Sequence, residues 1–218
     1  VWARNNGTGG FIVLNNVAPA EGDFLQGVAV APFSNLAPVE VALSWHWSGY
    51  RVQMLTVPSK ADRDMWTWRN LTRASQDEQL SVGDIDRDGT LDLLLGTKWL
   101  CNDCPHYPRR ARALDQWLGT DWLRWRAQPL NDMPANPDRN RLADVNGDGR
   151  LDAVVGFEAI SVPGKLVWYE QLAIATDPWV EHQIATVIGP MSLYAVDMDG
   201  DGDIDVVVGE HNLKDPAS

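Results

Sequence analysis

Long apolar runs are missing from the 218 residues. The best stretches, Leu91–Leu95 and Val206–Val208, are short, and the first is broken by Asp92. A membrane-spanning helix needs roughly 20 such residues, so a helical span is excluded. Basic residues are scarce, with 18 Lys and Arg against 30 Asp and Glu and a formal charge of −12. That balance argues against electrostatic binding to phosphate backbones or anionic membranes, and no nucleic-acid partner is expected. Cysteine is limited to Cys101 and Cys104, too few for a thiolate-rich zinc site. Cys104 is followed by Pro105, which excludes the haem-attachment pattern, and the flanks lack the βαβ context of a thioredoxin-like site. The chain starts at Val1 without a charged-then-apolar leader, as expected of a mature product or an excised piece. With 44% hydrophobic residues it can still bury a substantial core.

The abundant acid is concentrated in three nine-residue stretches: Asp84–Asp92, Asp144–Asp152 and Asp197–Asp205. All three fit D-x-[DN]-x-D-G-x-x-D. Side chains at turn positions 1, 3, 5 and 9 are Asp84, Asp86, Asp88 and Asp92 in the first turn. They are Asp144, Asn146, Asp148 and Asp152 in the second, and Asp197, Asp199, Asp201 and Asp205 in the third. Thr90, Arg150 and Asp203 fill position 7, whose backbone carbonyl is a further oxygen. Ca²⁺ takes about 6–8 hard oxygen ligands, and alternate carboxylates with Gly at position 6 for the sharp turn can wrap it. Three Ca²⁺ sites are expected, enough to halve the formal charge. Without a cation the crowded carboxylates repel one another.

Each acidic stretch is followed by an apolar run ending in Gly: Leu93–Gly96, Ala153–Gly156 and Val206–Gly209. Short apolar segments also precede them, so each acidic turn is expected to join two buried strands as a hairpin. Position 12 never carries Glu, which disfavours a paired-helix calcium site. The first Asp recurs at 84, 144 and 197, and one period earlier Pro32–Glu40 keeps the strand but has lost the ligands. Val167-Trp168-Tyr169-Glu170-Gln171 echoes Val1-Trp2-Ala3-Arg4-Asn5, while Trp66, Trp122 and Trp179 recur late in the repeat. A unit of about 50–60 residues with four short strands predicts an all-β propeller. Residues 1–25 supply two outer strands of a blade, 26–77 a blade without metal, and 78–134 a blade with an acidic turn and an insertion. Residues 135–188 supply a further blade with an acidic turn, and 189–218 two inner strands with the third turn. Either the ends close a four-bladed ring or, as we expect, the chain is an arc of a propeller of about 6–8 blades. An open arc requires further blades from the remainder of the chain or another subunit.

These segments resemble the FG-GAP or VCBS repeat, a calcium-bearing propeller blade also seen in the integrin α-subunit head. The resemblance rests on the three D-x-[DN]-x-D-G-x-x-D-hydrophobic-Gly segments, on Val167–Glu170 and on Trp179-Val180-Glu181-His182-Gln183-Ile184. It implies the blade well and the function poorly, because the family includes adhesion proteins, lectin-like modules and propeller-fold polysaccharide lyases.

If the acidic turns sit at one end of the strands, a second strand of about five residues carries the chain some 17 Å to the other end. Calcium is then structural. The loops expected at the far end hold His46, Trp47, Lys98, Trp99, Glu158 and His211, residue types that suit a sugar or a protein partner. The alternative for Trp45 and Trp47 is packing between blades. The insertion Cys101–Arg112 is expected at that same end, with Cys101 and Cys104 stapled by a disulfide. His106, Tyr107 and Arg109 carry the residue types of β-elimination from a uronate: a base and a cation for the carboxylate. Arg109, Arg110 and Arg112 form the one basic cluster. The leading expectation is an extracellular or cell-surface, calcium-stabilised module that binds carbohydrate or protein. The alternatives are a lyase acting on an acidic polysaccharide and a structural assembly protein.

Overall fold

The computed structural model describes residues 1–19, 25–34, 37–45, 52–72, 79–103, 125–130, 137–157 and 162–213. Among them every regular element is a β-strand. Three four-stranded antiparallel meanders follow one another. The first comprises β3 (Leu25–Ala31), β4 (Glu40–Trp45), β5 (Val52–Thr56) and β6 (Thr67–Thr72). The second comprises β7 (Ser81–Gly83), β8 (Asp92–Leu95), β9 (Lys98–Asn102) and β10 (Trp125–Pro129). The third comprises β11 (Pro137–Ala143), β12 (Asp152–Phe157), β13 (Pro163–Glu170) and β14 (Val180–Ile188). A hairpin of β1 (Trp2–Asn5) and β2 (Phe11–Leu14) precedes them, and one of β15 (Pro190–Val196) and β16 (Asp205–Glu210) follows. The two hairpins form separate two-stranded sheets, so the described arc is open and the four-bladed ring is not formed. First strands adjoin first strands, β3 with β7, β7 with β11 and β11 with β15, as blades arranged about an axis require.

The core lies in the seams between blades. Side chains alternate along a strand, so consecutive residues of a second strand enter opposite seams. Leu93 and Leu95 join Ala42, Met54 and Leu71 of the first blade, whereas Leu94 turns to Ala153, Val155 and Val167 of the third. Val154 points on to Leu193 and Val206. A strand covered on both faces reads as a continuous apolar run, which is why Leu93–Leu95 and Ala153–Val155 show no alternation. The identical pattern in Val206–Val208 is covered on one face only, and Val207 is 48% exposed.

Gly96 sits at φ 69° in the two-residue turn between Leu95 and Lys98, the first central position of a tight hairpin where Gly is favoured. The apolar run therefore leads straight into β9 and not into a long loop. This corrects the placement of the start of the insertion. Strand β9 returns to the end where the acidic turns lie, so Cys101–Asp103 lie beside the first acidic turn and not at the opposite end. Thr90 Oγ1 lies 2.7 Å from the Asn102 carbonyl oxygen, which fixes this proximity.

Candidate functional site

The acidic turns owe their shape to their own backbones. Asp84 accepts from the N–H groups of Asp88 and Gly89 at 3.0 Å each, and Asp144 accepts from those of Asp148 and Gly149 at 2.9 and 2.8 Å. Asp197 accepts from Gly200 and Gly202 at 2.7 and 3.0 Å. The carboxylate at position 1 thus closes the turn around itself, satisfying donors that no strand reaches. Two left-handed residues bend each turn. Gly89, Gly149 and Gly202 occupy position 6, and Arg87, Gly147 and Gly200 occupy position 4, with Arg87 at φ 61°. The second of these requirements is not apparent from the motif, because Arg87 conceals it in the first copy.

Position 9 acts as a strand staple. Asp92 accepts from Ile85 N–H at 2.9 Å and Asn102 N–H at 2.8 Å, tying the turn to the end of β9. Asp152 does the same with Val145 and Gln171, at 2.9 Å each, and Asp205 accepts from Met198 N–H at 3.0 Å. Glu40 takes this place in the first blade, wholly buried, bonded to Ser34 Oγ at 2.6 Å and paired with Arg69 at 2.6 Å. The partner side chains then cross the seams. Asn102 Nδ2 donates to the Phe33 carbonyl and Gln171 Nε2 to the Ile85 carbonyl, both at 2.9 Å. Phe33 and Ile85 are equivalent in their blades, so each amide clamps its blade to the turn of the blade before.

Two clusters have the geometry of a cation site: Asp84 with Asp86 and Asp88, and Asp197 with Asp199 and Asp205. Within each, one carboxylate oxygen per residue lies within 4.8 Å of the others. In the first, Asp86 Oδ1 is buried without a hydrogen-bond partner. Burial, then the Asp88 and Asp84 carboxylates, hold the Asp86 carboxyl above its usual range. Burial pushes Asp92 up to about 7 against the pull of the Asn102 and Ile85 N–H groups. A buried, donor-starved carboxylate among like charges is the setting that a hard divalent cation relieves, so these oxygens fit Ca²⁺. Asp201 and Asp203 complete the third turn, where Asp201 Oδ1 accepts from Asp203 N–H at 2.9 Å.

The second turn differs. Asn146 replaces an acid, its Oδ1 accepts from Asp148 N–H at 3.1 Å, and its Nδ2 donates to Glu170 at 3.3 Å. Arg150 bonds its Nη2 to Asp148 Oδ2 and its Nε to the Gln171 carbonyl at 2.9 Å. Burial raises Asp148, but the Arg150 N–H, the Asn146 side chain and the Arg150 charge outweigh it and hold the carboxyl low.

Of the residues expected at the far end, Lys98, Trp99 and His211 are among those described. Lys98 opens β9, half-buried, and Trp99 is wholly buried in the seam with Tyr169 and Trp179, in the register of Trp168. Trp99 is therefore a core residue and offers no surface to a ligand, because β9 follows at once on a tight turn. Trp45 is likewise buried and donates to Gln53 Oε1 at 3.1 Å. His211 follows β16, with Nδ1 buried and without a hydrogen-bond partner. His46, Trp47, Glu158, Trp122, Cys104, His106, Tyr107, Arg109, Arg110 and Arg112 lie outside the described residues. Cys101 is disulfide-bonded, and its Sγ lies 3.4 Å from Asp86 Oδ2.

Trp66 and Trp179 are buried, each donating Nε1 to a backbone carbonyl, of Ala61 at 2.8 Å and Ala175 at 2.9 Å. A cavity of about 260 Å³ is lined by Pro19, Gln53, Trp68, Arg69 and Asn70, beside the outer strand of the first blade. Nothing in the sequence pattern pointed to it, since none of these residues belongs to the repeated motif.

No curated protein matches the chain. Residues 121–208, which include the second and third acidic turns, match the family model of the FG-GAP-like repeat.

Proposed function

We propose that the protein is a calcium-stabilised, propeller-type binding module that works outside the cell on carbohydrate or a protein partner. The observation that carries the calcium reading is the first acidic turn, where Asp86 Oδ1 is buried without a donor beside Asp84 and Asp88. The role is structural. When bound, the ion supplies positive charge to the crowded carboxylates, and position 9 then transmits the closed turn to the third strand through Asp92. Asp197, Asp199 and Asp205 give the third turn the same donor chemistry.

The 260 Å³ cavity supports the carbohydrate reading. Its lining is chiefly polar, with the amides of Gln53 and Asn70 and the Arg69 guanidinium beside Trp68. Convergent hydrogen-bonding groups of this kind suit the hydroxyls of a sugar. A glycan array probed with the whole protein in millimolar calcium tests this. Binding that is weakened by Trp68→Ala and lost in chelator is expected. Silence across the array together with an empty protein pull-down would refute the binding reading.

A further inference from the structure

We propose that Arg150 is the resident cation of the second acidic turn, so that this turn closes without calcium while the first and third require it. The inference rests on the calcium reading of those two turns.

The three turns share a backbone plan and differ in charge. The third carries five Asp and no cation, the first four Asp with Arg87, and the second three Asp with Arg150. Arg87 is exposed in its left-handed position. Arg150 is drawn in, with its side chain 26% exposed, and reaches two elements at once: the turn through Asp148 Oδ2 and the end of β13 through the Gln171 carbonyl. Gln171 also donates its N–H to Asp152 Oδ1. The guanidinium therefore ties the turn to the end of β13 in parallel with Asp152. A planar fork with fixed donors suits this bridging better than a lysine would.

What a cation would meet differs at positions 3, 5 and 7. Positions 1 and 9 are alike, since both oxygens of Asp144 and of Asp152 accept backbone N–H groups, as do those of Asp84 and Asp92. Asp148 gives one oxygen to the Arg150 N–H and the other to its guanidinium. Asn146 brings no charge and spends its amide on Glu170. Glu170, which accepts from Asn146, also bonds to His182 Nε2 at 2.8 Å. In the first turn, by contrast, Thr90 occupies the place of Arg150 and Asp86 Oδ1 has no partner. Among the described residues, the second turn forms no cluster of three acids within cation reach. Its residues do not fit a calcium ion as those of the other two turns do.

Isothermal titration with calcium, on the whole protein after chelation, should give two ions per chain. Asp84→Ala and Asp197→Ala should each remove one, and Asp144→Ala none. Asp144→Ala also deletes two turn hydrogen bonds, so a variant that builds a site is the firmer test. Asn146→Asp with Arg150→Thr restores the first turn's pattern and should raise the count to three. Arg150→Thr alone should lower the melting temperature in chelator relative to the parent, with calcium recovering part of the loss. Three ions in the parent, or loss of an ion on Asp144→Ala with the fold intact, would overturn the Arg150 assignment and leave the calcium reading standing. No ion in any variant would overturn both.

Discussion

The first and second acidic turns carry the same motif and nearly the same hydrogen bonds, yet they solve their charge problem differently. Position 1 closes each turn, and position 9 ties each to its third strand. In the first, the remaining carboxylates face one another around a buried oxygen without a donor; in the second, one acid is an amide and an arginine covers another. Backbone geometry is thus common to the repeat, while the source of positive charge belongs to each copy. A motif with fixed spacing specifies the turn, and the residue at position 7, which a ligand count treats as a mere carbonyl, decides what neutralises it.

That contrast can be broken in order of expected effect. Calcium removal should act most strongly: a ligand present at 100–1,000 times its dissociation constant contributes about 3–4 kcal/mol per site. Chelation should therefore lower the melting temperature by several degrees, and hydrogen exchange should rise at Ile85, Asp88 and Gly89 more than at Val145, Asp148 and Gly149. Next come the staples. Asp92→Ala orphans two N–H groups in a buried setting, at about 1–3 kcal/mol each, and in excess chelator, where Asp205 serves no ion, it should cost more than Asp205→Ala, which loses the single Met198 bond. Urea melts would rank the two.

The seam clamps should follow, since Asn102→Leu removes bonds to both the Phe33 and Leu91 carbonyls whereas Gln171→Leu removes one to Ile85. About 1–2 kcal/mol per buried bond is expected, with the larger loss at Asn102. Arg87→Gly should have the smallest effect, a gain of up to about 1 kcal/mol, because it relieves a left-handed side-chain residue that the other two turns fill with Gly. No gain would mean that Arg87 contributes charge to the turn that offsets its backbone cost.

Much of the architecture could be read from the residues because propeller blades place local chemistry at fixed intervals. Leu93–Leu95 and Ala153–Val155 announced strands buried on both faces, and Asp84, Asp144 and Asp197 set the period. Gly96 was legible as a strand end but not as the tight turn that sends β9 back toward the acid, and so Cys101–Asp103 were assigned to the wrong end. Trp99 followed it, taken for a rim residue when its equivalent is Trp168 in the seam. The amide clamps were invisible for a different reason. Asn102 and Phe33 are 69 residues apart and Gln171 and Ile85 are 86 apart, and no local pattern marks an amide that will cross to a neighbouring blade. The cavity at Trp68 and Asn70 likewise arises only once β5 and β6 lie beside Pro19.

Calorimetric unfolding of the whole chain, in calcium and again in excess chelator, addresses the central claim most directly. A transition that shifts down by several degrees on chelation, and an Asp84→Ala variant whose response to chelator is smaller than the parent's, are the expected results. Superimposable curves in the two conditions would contradict the assignment of these turns as calcium cradles.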